Sequence, residues 1–131
     1  MSQVRAFISF DLDHDNHLKS RLVAQAAREE SLFTVADWSI RELAIDWNDK
    51  LNKRIANVDV MLVICGEYTE TAANVNIEIT VAREMNRPYF LLDGRPGRSR
   101  MPFASQSTDV VLDWNPGTWR EPTPTPKGGT V

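Results

Sequence analysis

The residue in this chain best suited to chemistry is a glutamate that sits among apolar neighbours. The stretch 72–86 (AANVNIEITVAREMN) reads as a helix. At about 100° per residue, with Val75 at 0°, the side chains Ile77, Val81, Met85, Ala82 and Ile79 fall at roughly 200°, 240°, 280°, 340° and 40°, and Glu78 falls inside that arc at roughly 300°. Arg83, Asn76, Thr80 and Glu84 hold the opposite side, so solvent-facing positions were open to an acid. Burying a carboxylate costs several kcal/mol unless it is paired, protonated or turned to a polar cavity. Acids kept at that cost cluster at functional sites, where a fixed negative charge can orient a polar ligand or steady a growing positive one. The alternative is a long stem that crosses the apolar edge and reaches water or an arginine.

Asp11, Asp13 and Asp15 form D-x-D-x-D, the opening of a calcium loop. Its sixth position is Asn16 where that loop needs glycine, and its twelfth is Leu22 where it needs a bidentate glutamate, so calcium is disfavoured. A solvated turn and helix cap remains, with one carboxylate free to face a cleft. His14 and His17 lack further ligands at metal spacing and read as a surface pair. Cys65 ends an apolar run, where a thiol is more often inert than nucleophilic. Trp38 can stack on a planar base or plug the core. Trp47, at helical spacing with Leu43 and Leu51, reads as core.

These residues need a scaffold, and the pattern supplies an alternating one. Val4 to Phe10 reads as a strand, followed by a helix carrying Leu18, Leu22 and Ala26. Leu32 to Ala36 reads as a second strand, with Asp37, Trp38 and Ser39 in the loop beyond it. Leu43, Trp47, Leu51 and Ile55 then recur every four residues as an amphipathic helix. Val58 to Cys65 is nearly all apolar, as in a strand covered on both faces. The Glu78 helix stops at Pro88, Tyr89 to Leu92 is a fourth strand, and Val110 to Leu112 is a fifth after a Gly- and Pro-punctuated loop. Such alternation predicts a parallel sheet of about five strands with helices on both faces. Ligands of open α/β sheets sit beyond the carboxyl ends of the strands. That places loops 10–16, 37–39 and 66–74, and the sheet-facing first turns of the Glu78 helix, around one crevice.

The 131 residues suffice for one domain with a real core. A net charge of −3 and a pI near 5.3 argue against a nucleic-acid or anionic-membrane surface. No run is long enough to span a membrane, the N-terminus lacks a signal-peptide core, and the single cysteine suits a reducing cytoplasm. No G-x-G-x-x-G or P-loop occurs, and FDLDHDN would repel phosphate where a flavin-binding relative needs a phosphate loop. A phosphoacceptor receiver would need an Asp where Cys65-Gly66 stands and a Lys where Asp93-Gly94 stands.

The order of RAFISFDLDHD, FTVADWSI, W-x3-L-x3-I from Trp47 to Ile55, NVDVMLVICG, YTETAANVNIEITVA and NRPYFLL resembles the TIR-like domains of bacterial anti-phage defence, nearest the TIR subunit of Thoeris systems. The resemblance implies a flavodoxin-like TIR fold over residues 1–119, with 120–131 as a flexible Pro/Gly-rich tail. It implies an enzyme that takes NAD as substrate rather than as cofactor, without a metal. The enzyme would cleave the nicotinamide glycosidic bond with Glu78 and make a cyclic or modified ADP-ribose that activates a separate effector protein. By the same resemblance Phe10, Asp11, Asp37, Trp38 and Asn74 contact substrate, and self-association completes the site. The helix expected after the fifth strand is hardly visible in VVLDWNPGTW. Two other readings stay open: a non-catalytic signalling or scaffold domain, and a relative of nucleoside deoxyribosyltransferases.

Overall fold

A computed structural model describes residues 4–28, 31, 33–41 and 47–113. The strands are β1 (Val4–Ser9), β2 (Phe33–Trp38), β3 (Val60–Cys65), β4 (Tyr89–Asp93) and β5 (Val111–Asp113). The helices are α1 (Asn16–Ala26), α2 (Trp47–Ala56) and α3 (Ala73–Glu84), with a short 3-10 turn at Thr69–Thr71. All five strands are parallel, in the order β2-β1-β3-β4-β5. This is the flavodoxin-like order, in which the chain leaves β1 to one side and returns to pair on the other.

Strand alternation divides the core. Ala6, Ile8 and Phe10 point to one face, where α1 covers them with Leu18, Leu22 and Ala26. Phe7, Met61 and Val63 point to the other, beneath Leu51 and Ile55 of α2 and Val75, Ile79 and Ala82 of α3. β3 is buried along its whole length because it is paired on both edges and covered on both faces. Cys65 ends it as a fully buried thiol whose pKa burial pushes up to about 12, so it is inert.

Two local irregularities bear on the site. β2 runs on through Asp37 and Trp38, which the sequence placed in a loop. The register slips within it, with Ala6 opposite Val35 but Phe7 opposite Asp37. Ala36 is thus an extra, bulged residue, and the alternation beyond it is reversed. The end of α3 is set by a Schellman turn, with Asn86 at φ 57°, its N–H on the Arg83 carbonyl (3.1 Å) and the Arg87 N–H on the Ala82 carbonyl (2.8 Å). That closure satisfies the last carbonyls without a glycine.

Residues 94–110, between β4 and β5, contain no helix. They pack across the α3 side, where the Ala104 N–H donates to Asn76 Oδ1 (2.7 Å) and the Phe103 N–H to the Glu70 carbonyl (3.1 Å). Leu43, the segment after β5 and the tail 120–131 lie outside the described residues. Among the described residues no helix is long and apolar enough to cross a membrane.

Candidate active site

Glu78 points inward, at 3% exposure, from the second turn of α3 toward the carboxyl end of the sheet. Three donors converge on its Oε1: Ser9 Oγ at 2.7 Å, Ser39 Oγ at 2.7 Å and Asn74 Nδ2 at 3.4 Å. They come from the end of β1, the residue after β2 and the preceding turn of α3. Ser39 is itself fixed, since its N–H donates to the Ile8 carbonyl (2.8 Å) and its Oγ accepts from the Phe10 N–H (3.1 Å). Asn74 likewise donates to the Phe10 carbonyl (2.9 Å). Among the described residues no donor reaches Oε2. Burial pushes the Glu78 pKa up to about 7, and the Ser9 and Ser39 hydroxyls, the charge of Arg54 and the Asn74 amide restrain that rise.

The carboxylate lines a cavity of about 560 Å³ on the α2/α3 side of the sheet's carboxyl edge. That is a volume typical of small-molecule sites, which run from about 300 to 1,000 Å³. One wall is the turn after β1, from Asp11 to His14, and another is Ile40 and Arg41 after β2. α2 contributes Trp47, Leu51 and Arg54, and the β3–α3 connection contributes Tyr68 and residues 71–74. The lining mixes acidic, basic, apolar and aromatic side chains.

The cavity takes in only some of the residues expected at the substrate. Asp11 and Asn74 line it with Glu78. Phe10 does not: continuing the alternation of β1, its ring is 1% exposed in the α1-side core, and only its backbone reaches the site. Trp38 does not either. The bulge at Ala36 turns it beside Ile8 toward α1, where it is 37% exposed with the Lys19 ammonium 4.9 Å from the ring centroid. Asp37, turned by the same bulge to the α2 side, grips Arg54 with two bonds of 2.7 and 2.8 Å, and Arg54 also donates to the Trp38 carbonyl. Burial would raise the Asp37 pKa, but the Arg54 hydrogen bonds, the Trp38 N–H and the Arg54 charge together outweigh it and hold the carboxyl below its usual range. Asp37 therefore aims the arginine rather than lining the cavity. Trp47, read as core, is 36% exposed and forms cavity wall, because it is the first residue of α2, where the helix borders the cavity.

The three aspartates after β1 diverge. Asp11 Oδ2 lies 2.7 Å from His14 Nδ1, Asp13 pairs with Arg41 at 2.7 Å on the rim, and Asp15 is buried beneath Gly66 and Thr69. Burial, and then the neighbouring Asp11 charge, raise the Asp15 pKa against the opposing Arg95, His17 and His14. His17 instead contacts Arg95 (2.9 Å). Among the described residues no group of three or more His, Cys, Asp or Glu is placed to hold a metal. Ser9, Ser39, Arg54, His14 and Tyr68 were not singled out from sequence as site residues. Ser9 had a signal, since it shares the strand face of Phe7. His14, Ser39 and Tyr68 fall within the loops expected around the crevice, and only Arg54 had no signal short of tertiary structure.

The doubly wound parallel sheet, with an acid in the cleft on the helix after its third strand, is consistent with the flavodoxin-like fold of a TIR-like domain. The family described as Thoeris protein ThsB, TIR-like domain, matches residues 7–93. The chain belongs to that family and is a defence-related TIR domain. Comparison with curated proteins returns no match.

Proposed function

We propose that this domain binds NAD in the Glu78 cavity, breaks its nicotinamide glycosidic bond and yields a cyclic or otherwise modified ADP-ribose that activates a separate effector. The observation that carries this reading is a buried carboxylate held by two serine hydroxyls in the wall of a ligand-sized cavity. An ordinary glycosidase needs a second carboxyl to protonate the leaving oxygen. Nicotinamide in NAD is already cationic and leaves neutral, so one acid suffices. With Oε1 anchored, Oε2 is free to meet ribose hydroxyls and to stabilise positive charge growing on the sugar, strongly so in a water-poor site. A pKa near 7 leaves Glu78 divided between acid and carboxylate at neutral pH. A cationic ligand beside it favours the carboxylate.

The surroundings suit the rest of the molecule. The N-terminus of α3 opens on the cavity with no side-chain cap, and Arg41 and Arg54 line it, a setting for a diphosphate. Trp47 and Tyr68 offer faces for planar groups. Ile40, Trp47, Tyr68 and Ile77 are exposed at the mouth, where a second copy of the chain can cover them. An unpaired thiol at Cys65 fits action in the cytoplasm.

The test is mass spectrometry of products from NAD, with wild type and Glu78→Gln compared in phage-challenged and unchallenged cells. Glu78→Gln is expected to fold and to release no nicotinamide; full turnover by it refutes the mechanism. Turnover of a deoxynucleoside instead of NAD would favour the deoxyribosyltransferase reading, and defence that survives Glu78→Gln would favour a scaffold.

A further inference from the structure

The Glu78 mechanism answers one demand of the reaction and leaves a second. When an oxygen nucleophile attacks the ribose carbon, its proton must go somewhere. Glu78 is a poor destination, because under the NAD reading its charge is needed against the sugar cation and its one unanchored oxygen, Oε2, is engaged by the ribose hydroxyls. The turn after β1 holds a better one.

Asp11 is buried there, with Oδ1 accepting from the Asp13 N–H (3.0 Å) and Oδ2 lying 2.7 Å from His14 Nδ1. The turn is fixed further by the Asp11 carbonyl, which accepts from the N–H groups of His14 (3.3 Å) and Asp15 (2.9 Å). The imidazole leans on Tyr68, with ring centroids 4.3 Å apart. A carboxylate at Nδ1 selects the tautomer with its proton on that nitrogen, leaving the Nε2 lone pair as acceptor. Among the described residues Nε2 has no partner, and His14 lines the same cavity as Glu78. An oriented, buried carboxylate behind a half-exposed imidazole on a ligand cavity is the arrangement of a general base.

Resting on the NAD reading, we propose that His14 is the general base of the second half of the reaction and that Asp11 is its positioning residue. The bond from the ribose anomeric carbon to the nicotinamide nitrogen breaks, and its electron pair leaves with neutral nicotinamide. The nucleophile is water, or a hydroxyl of the same ADP-ribose. Its oxygen forms the new bond to the anomeric carbon, and its proton passes to His14 Nε2, giving an imidazolium that Asp11 stabilises. Glu78 governs departure, and His14 governs attack by any nucleophile that must lose a proton.

A pyridine nucleophile has no proton to lose, so it separates the two roles. The full-length protein, in the state in which wild type releases nicotinamide, is given NAD with and without 3-acetylpyridine. Exchange of the base and formation of ADP-ribose or its cyclic forms are then measured together. For His14→Gln, hydrolysis and cyclisation are expected to fall about 100-fold or more while exchange stays within about threefold of wild type. Asp11→Asn is expected to show the same split, since its amide nitrogen turned to Nδ1 forces the other tautomer. Loss of exchange and hydrolysis in equal measure, or loss of neither, overturns the assignment. A wild type that releases no nicotinamide from NAD even in phage-challenged cells overturns the NAD reading itself, whereas exchange lost only in Glu78→Gln leaves that reading intact.

Discussion

Replacing Glu78 with glutamine is expected to stabilise the fold, and to do so more as pH rises. The native carboxyl has its pKa lifted from 4.5 to about 7, chiefly by burial. Between those values the native state holds a proton that the unfolded chain has lost, so this group's contribution is most favourable below 4.5 and declines until pH passes about 7. At about 1.4 kcal/mol per unit, the whole shift is worth about 3 kcal/mol, of which about 2 to 3 falls between pH 5 and pH 8. Glutamine has nothing to titrate and keeps an oxygen for the Ser9 and Ser39 hydroxyls. Denaturant unfolding of both proteins at pH 5, about 6, about 7 and 8 should therefore show glutamine's advantage widening across the series, with a melting difference near ~10 °C at the alkaline end. A pH-independent gap, or one that narrows as pH rises, would refute the claim that desolvation dominates at this carboxylate. If the gap widens as expected, the inactive Glu78→Gln protein is more stable than wild type.

Ser39→Ala removes one of the donors that restrain the Glu78 pKa, so the acid limb of nicotinamide release should move up by about one pH unit; a pH–rate profile checks this. Asp37→Asn weakens the grip on Arg54, costing about 1–2 kcal/mol for this partly exposed pair. Because the Asp37 pKa is lowered, that contribution is present above 3.8 and fades as pH falls below it, which acid unfolding will show, and KM should rise more than kcat. Gly66→Ala would set a Cβ 2.3 Å from Asp15 Oδ2 and should destabilise by about 2–3 kcal/mol. A double-mutant cycle with Asp15→Ala, read by urea unfolding, should recover most of that loss.

What could be read ahead of the structure depended on how local its cause was. Helix rotation is local, so Glu78 could be seen to face inward, and strand and helix alternation led to the five-stranded parallel sheet. Pairing registers are not local. One bulged residue at Ala36 reversed Asp37 and Trp38 relative to the sheet, and nothing in FTVADWSI announces it. The direction of the Phe10 ring was legible, since carrying the period of Ala6 and Ile8 one step further puts it under α1. Trp47 shows the limit of helical spacing, which tells which side of a helix faces inward but not whether core or cavity lies against it. Ser9 and Ser39 stand at positions the pattern puts near the crevice, but their bonds to Glu78 are contacts with a helix far along the chain and could not be read locally.

The anchoring of one oxygen by donors from β1, the exit of β2 and α3 also matters while the protein is being made. A nascent chain that has emerged only as far as β3 has both serines but no acid, and an acid not yet docked has no anchor. Under the proposed chemistry, no translation product that stops before α3 can drain the dinucleotide pool. Competence arrives late and all at once, with the seating of α3.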